Sequence, residues 1–313
     1  MTITDNQQVI QRNANLNLPP LFAEWISSWD LEEILAPILR STVVWVKRVS
    51  PPNASPDNLA VACMDLVWFS YLDNCLKEDY NIVFENFSKI LDGYQPASDE
   101  PKLFRAYADV INKVAQKGYD MQYYLQQRKD NLRHRVDLAK QRLYGRTNKN
   151  KLSFNEYFEI RQTTIGVSYW MTLWEILEDF YLNPSERVMG EVKQGVRAVS
   201  SVYLLDNDLQ SLLRDLKEGN PNLVILYMEQ YGGDIFSSAQ YIKGLIQREV
   251  NTFRHSFVSI QNSAPSDRLR QYFELLELVL NYVVVPGLME NDHPGMYSSN
   301  LELAVIAYNQ QTS

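Results

Sequence analysis

Residues 204–219 read LLDNDLQSLLRDLKEG, a leucine-rich stretch of helical pattern with a polar set cut into it. Asn207, Ser211 and Asp215 are spaced four apart, and Arg214 stands beside the last. Residues four apart share one helix face. An amide oxygen, a hydroxyl and a carboxylate therefore form one stripe, with leucines 204, 205, 209, 212, 213 and 216 crowded around it. Removing polar groups from water is costly unless something replaces the lost hydrogen bonds. The stripe offers hard oxygen donors, which suit Mg²⁺ better than zinc or copper. Arg214 adds a fixed positive charge of the kind an anion needs. The full pattern is Asn or Asp, then Asp-x-x-Ser-x-x, then Arg or Lys, then Asp or Glu. By chance it arises in roughly one chain of this size in several hundred.

Working outward, helical periodicity dominates. Residues 57–79, 102–143, 153–181, 184–218, 222–231 and 234–261 carry apolar side chains at three- and four-residue intervals. Breakers fall where helices should end: Pro51-Pro52, Asp92-Gly93, Gly145, Asn183-Pro184, Gly219-Asn220-Pro221, Gly232-Gly233 and Pro265. Ser153 and Ser185 are expected N-caps, the first with Glu156 three residues on. VVWV (43–46) and YVVV (282–285) are β-prone, but both adjoin helical patterns. The basic stretch GRTNKNK (145–151) reads as a loop. No repeat and no low-complexity linker divides the chain, so one all-α domain over 1–313 is expected, with 1–20 as a flexible N-terminus.

The 313 residues are 45% hydrophobic and 22% charged, an ordinary globular composition. A formal net charge of −8 argues against a protein that depends on nucleic-acid phosphate. Cys63 and Cys75 show no zinc-type spacing and fit a reducing cytoplasm. The sequence shows no charged n-region followed by an apolar core and no 18-residue apolar run, so neither export nor a membrane span is expected.

A second acidic stretch is WFSYLDNCLKEDYN (68–81). Asn74 and Glu78 are four apart, with Asp73 on the adjacent edge of their face. The group can hold one or two further cations, or simply be a polar helix end.

These two motifs together resemble a class I terpene synthase of the microbial, single-domain type, over about residues 60–300. NDLQSLLRD (207–215) matches that family's NSE magnesium motif at every defined position. LDNCLKE (72–78) is similar to its aspartate-rich motif, with Asn74 in place of the second aspartate. In EYFEIRQTTIGVSYW (156–170), Arg161 lies 46 residues before Asn207, where the family keeps a diphosphate-sensing arginine. Thr164 and Ile165 fall at its linker and effector positions. Gly166 and the β-branched Thr163, Thr164, Ile165 and Val167 are poor residues for an undisturbed helix. A local break is expected there, aiming a backbone carbonyl into a central apolar cavity. For Arg161 read alone, an ion pair with Glu156 or Glu159 is the plain alternative. The family's closing Arg-Tyr pair is missing: Arg270 is the last arginine or lysine in the chain. Tyr297 is the candidate for the tyrosine's place, and His293 for a replacement donor.

The resemblance implies an all-α bundle that takes a linear prenyl diphosphate, most simply farnesyl diphosphate. It implies three Mg²⁺ ions held by Asp73 and Glu78 on one side and by Asn207, Ser211 and Asp215 on the other. Arg161, Arg214 and Tyr297 would bind the diphosphate. Trp68, Phe69, Tyr169 and Trp170 would line the cavity, since a cation over a ring gains about 0.5–2 kcal/mol. It suggests a homodimer. The alternatives are a geranylgeranyl diphosphate cyclase, a prenyl chain elongase (disfavoured by Asn and Ser in the second motif), and a non-catalytic helical relative.

Overall fold

The computed structural model describes residues 18–75, 80–117, 121–145 and 152–284, with backbone alone at 73–75, 80–81, 83 and 139–145. The described residues hold thirteen helices. In chain order they are α1 (Pro20–Trp29), α2 (Glu32–Val49), α3 (Pro56–Cys75), α4 (Tyr80–Leu91), α5 (Lys102–Ala115), α6 (Gln122–Gly145) and α7 (Phe154–Thr164). There follow α8 (Val167–Leu177), α9 (Pro184–Arg187), α10 (Gly190–Glu218), α11 (Leu223–Tyr231), α12 (Ile235–Asn262) and α13 (Asp267–Val284). Two compact units result: residues 1–136 with 169–181, and residues 137–168 with 182–313.

In the first unit α3 packs against α1, α2 and α5. Its core is aromatic: Trp68 meets Trp25, Tyr71, Phe87 and Tyr107 edge-on at 5.7–6.1 Å. The β-prone VVWV lies inside α2, where Val43, Val46 and Val49 are buried. Burial of an apolar helix face there outweighs the modest helix propensity of valine. Burial also pushes the Cys63 thiol up to about 12, against a smaller opposing effect of Lys47, which keeps it protonated and unreactive.

In the second unit α10 is central, flanked by α7, α11, α12 and α13. Leucines 204, 205, 212 and 216 enter one cluster with Phe154, Tyr157, Leu223 and Ile242. At Gly195 a Cβ would stand 3.0 Å from Phe273 Cε1, so α10 and α13 approach closely there and a larger residue would require the Phe273 ring to shift.

Several boundaries differ from the periodicity. The span 102–143 is interrupted, α5 ending at Ala115 and α6 starting at Gln122; Gly118, the one glycine of that span, falls between them. The span 184–218 splits because Met189 takes an extended conformation between α9 and α10. The N-cap of α9 is Asn183 rather than Ser185: Pro184 occupies the first helical position, and the Ser185 hydroxyl instead donates to Asn183 Oδ1. Helices α1, α2, α4 and α13 were not among the periodic spans. Residues 1–17, most of GRTNKNK and Val285 lie outside the described residues. No helix among those described is long and apolar enough to cross a membrane.

Candidate functional site

Helix α7 opens on a full capping box: the Ser153 hydroxyl receives the Glu156 amide, and the Glu156 carboxylate receives the Ser153 amide at 2.8 Å. Phe154 and Tyr157 then bury in the leucine cluster, and one turn later Arg161 reaches α10. Its Nη2 donates to Asn207 Oδ1 at 2.9 Å and to Asp208 Oδ1 at 3.4 Å, and its Nη1 to Thr164 Oγ1 at 3.4 Å. Among these contacts neither Glu156 nor Glu159 is Arg161's partner. Gln162 adds a second tie between the helices, from Nε2 to Ser201 Oγ at 2.8 Å.

The helix ends as its residues demand. Thr164 is buried, Ile165 sits at the C-cap packed on the leucine cluster, and Gly166 takes a φ of 88°. That left-handed backbone suits glycine. Helix α8 resumes at Val167.

Along α10 the polar stripe is assembled. Ser211 Oγ donates to Asp215 Oδ2 at 2.5 Å, and Arg214 Nη2 to Asp215 Oδ1 at 3.3 Å. Asp215 is buried while Arg214 is half-exposed. Asp208, a member of the sequence pattern that had been given no role, is fully buried and holds two elements at once. Its Oδ1 meets Arg161, and its Oδ2 receives the Leu223 amide at the start of α11 at 2.9 Å. Burial pushes the Asp208 carboxyl up to about 6; Arg161 and the Leu223 amide pull it down, and Asp215 works with burial. Next to Asn207, burial also pushes Asp206 up to about 6, partly offset by Gln210. Asn222, read only as the first residue of the helical span 222–231, caps α11 and donates to both Asp208 O and Asp215 Oδ2.

The donor chemistry fits a hard cation. Among the described residues no three His, Cys, Asp or Glu side chains gather as a soft or high-affinity metal site would require. The stripe instead supplies one carboxylate, one hydroxyl and one amide oxygen, spaced a turn apart. Such a set binds Mg²⁺ only partly and leaves positions for water and phosphate oxygens.

In the first unit, Asp73 lies in the last turn of α3, its side chain outside the described residues, as are Glu78, His293 and Tyr297. Trp68 and Trp170 are both fully buried. Trp170 stacks edge-on with Trp45 at 4.4 Å and donates to Val49 O. Phe69 and Tyr169 lie 5.2 Å apart and each faces an arginine: Arg135 stands 3.6 Å from the Phe69 ring centre, Arg128 5.0 Å from that of Tyr169. Neither arginine was singled out in the sequence.

Comparison with known proteins now adds to this geometry. The family model "Terpene synthase family 2, C-terminal metal binding" matches residues 66–252. A sesquiterpene synthase of Metarhizium brunneum (strain ARSEF 3297) is 22% identical over 244 residues, 74% of this chain and 70% of that protein. The fold is shared with the linalool/nerolidol synthase of Streptomyces clavuligerus in complex with 2-fluorogeranyl diphosphate. The TM-score there is 0.74 at 15% identity, over 93% of this chain and 99% of that one. It is shared as well with the 2-methylisoborneol synthase of Streptomyces coelicolor A3(2), in complex with Mg²⁺ and geranyl-S-thiolodiphosphate. In that case the TM-score is 0.72 at 12% identity, covering 90% and 92%. With the family model spanning more than half of its length, the chain belongs to terpene synthase family 2 and is a terpene synthase with a metal-binding domain.

Proposed function

We propose that the enzyme ionises a linear prenyl diphosphate, farnesyl diphosphate first among them, and cyclises the resulting carbocation with release of diphosphate. The observation that carries this reading is the 2.9 Å contact of Arg161 with Asn207 Oδ1. It puts a guanidinium against the oxygen-rich stripe, so one place can attract both an anion and the cation that accompanies it. The C15 substrate draws support from the sesquiterpene synthase relative, and a prenyl diphosphate from the analogues bound in the two structures of like fold.

In this reading Asn207, Ser211 and Asp215 hold one Mg²⁺, while Asp73 and Glu78 provide ligands for two more; the chain acts as a single domain. When bound, Mg²⁺ supplies Lewis-acid stabilisation of charge on the leaving diphosphate. Arg161 and Arg214 donate charge-assisted hydrogen bonds to the diphosphate oxygens. To do so Arg161 gives up Asn207, and because it stands one turn from Thr164 and Ile165, its movement is felt at the Gly166 break. Tyr297 is a further donor to the diphosphate. Phe69 and Tyr169 already stabilise positive charge, each with an arginine at its ring. The same ring electrostatics would serve a carbocation. In this reading Trp68 and Trp170 line the same cavity.

The test is incubation of the purified protein and Mg²⁺ with geranyl, farnesyl and geranylgeranyl diphosphates, followed by analysis of the organic extract and of released diphosphate. A cyclic C15 product that disappears on chelation is expected. A longer prenyl diphosphate as product, or no product from any of the three, overturns the reading.

A further inference from the structure

We propose that Asn222 is a positioning residue, one that holds the Asp215 carboxylate in the orientation from which it binds the cation. This rests on the metal reading of the stripe and adds to it a side chain that cannot itself be a ligand there.

Asn222 is fully buried, and its amide is used at both ends. Nδ2 donates to Asp208 O at 2.7 Å and to Asp215 Oδ2 at 3.0 Å, while Oδ1 accepts the Val224 amide at 3.0 Å. An ordinary N-cap needs only the last of these. The two donor bonds run back to α10 and fix the turn that follows it against the stripe. Asp215 Oδ2 has two donors, Ser211 and Asn222. Ser211 belongs to the proposed ligand set, so its hydroxyl would have to reorient when a cation binds. Asn222 offers that carboxylate only N–H groups, which a cation cannot recruit. Its bond to Asp215 is therefore the one that persists, fixing Oδ2 while Oδ1 keeps its contact with Arg214. Supporting partners of this kind typically change metal affinity about 10–100-fold when removed.

Cap and positioning roles sit on different atoms of one side chain, so they can be separated. In Asn222→Ser a hydroxyl can still cap α11 but no longer reaches Asp215. In Asn222→Asp the capping oxygen stays and the donor becomes an acceptor facing two other acceptors. Asp234→Ala, which removes the N-cap of α12, serves as the control for loss of a cap alone. Two readouts apply: the rise in melting temperature on adding Mg²⁺ with inorganic diphosphate, and the Mg²⁺ concentration for half-maximal turnover.

For either Asn222 variant we expect a rise that requires about tenfold more Mg²⁺ and a Mg²⁺ requirement increased to match. In Asp234→Ala the protein is less stable, with both Mg²⁺ dependences as in the wild type. If the Asn222 variants lose stability yet keep the wild-type Mg²⁺ dependence, Asn222 is only a cap and the inference is overturned. If the wild-type protein shows neither the thermal shift nor Mg²⁺-dependent turnover, the metal reading itself has failed, and the inference with it.

Discussion

Each compact unit buries a polar network, and the two are built to opposite rules. In the first, Asp65 and Arg128 pair at 3.2 Å, with side-chain exposures of 0% and 4%. The Tyr124 hydroxyl donates to Asp65 at 2.6 Å, Arg128 donates to the Tyr107 hydroxyl at 3.3 Å, and the rings of Tyr107 and Tyr169 face the guanidinium. Burial pushes the Asp65 carboxyl up from its ordinary value, and Arg128 and Tyr124 pull it back. One charge is matched to one charge, and aromatic rings close it off. In the second unit two buried aspartates, Asp208 and Asp215, each pair with an arginine that stays in touch with water; Arg161 is 15% and Arg214 46% exposed. Asn207 and Ser211 add neutral oxygens to these two ion pairs. A sealed, balanced pair leaves nothing for a ligand to do. An oxygen-rich stripe at the edge of solvent, with water-accessible cations beside it, can exchange its internal bonds for a metal and an anion. Burial of charge therefore does not mark the site; access does.

The largest effect should come from Asp215→Ala. Its turnover is expected to fall by more than the roughly 100-fold seen for a supporting partner, with the far-UV helix signal unchanged. Full activity in that variant would erase the contrast between the two networks. Asp65→Ala should do the reverse. It strands the Arg128 charge in a dry core, a change that costs about 3–5 kcal/mol. Denaturant unfolding should register that loss, and the Mg²⁺ requirement of whatever folds should stay put. Adding Arg128→Met should restore much of the stability, short of about 1–3 kcal/mol for the orphaned Tyr124 and Tyr107 hydroxyls. A double variant no better than Asp65→Ala would show that the pair is not self-contained.

These networks were unequally legible in the sequence. The stripe could be read because helical period alone places Asn207, Ser211 and Asp215 on one face. The break near Gly166 could be read because four β-branched residues and a glycine contradict the surrounding pattern. The box at Ser153 and Glu156 is a local motif, and local motifs survive folding. Spacing could not say that Arg161 rests on Asn207, since correspondence of positions is not contact. Asn222 stayed hidden just after the Gly219-Asn220-Pro221 break, as the first residue of a helical span, and only the fold reveals what its Nδ2 touches. Arg128 and Arg135 went unremarked because nothing local announces the rings that cover them. Helices α1 and α2 were obscured by β-branched residues and prolines, whose propensities are outweighed by burial.

Arg161 offers a sharper test of exchange. While it holds Asn207 Oδ1 at 2.9 Å, a divalent ion at that oxygen meets a like charge a few ångströms away. At an effective dielectric near 20 such repulsion amounts to a few kcal/mol. Arg161→Gln should therefore bind Mn²⁺ about tenfold more tightly than the wild type when no diphosphate is present, and bind Mg²⁺ with inorganic diphosphate less well. Titration followed by electron paramagnetic resonance reads the first effect. An unchanged Mn²⁺ affinity would remove Asn207 from the ligand set.

The smallest effect concerns Glu186, a carboxylate that belongs to neither network and calibrates both. It accepts from Ser266 Oγ at 2.6 Å, Arg268 Nε at 2.8 Å and the Asn183 amide at 3.0 Å, tying the start of α9 to the start of α13. Burial raises its carboxyl, but these hydrogen bonds and the Arg268 charge outweigh burial and hold it below the usual carboxylate range. A depressed folded value means that the ionised form is favoured in the native state. Its contribution is then fully present above the unfolded value and is lost as pH falls through the folded one. Glu186→Gln should lower the melting temperature at neutral pH by a few degrees at most. That deficit should shrink as the medium is acidified below the ordinary carboxylate range, because the wild-type group protonates and loses the same advantage. Mg²⁺-dependent behaviour should not change at any pH where both proteins are folded. If the deficit instead grew on acidification, this carboxylate would be one that burial dominates, like Asp65. Complete hydrogen bonding to a carboxylate would then no longer be what separates an anchoring group from a strained one in this protein.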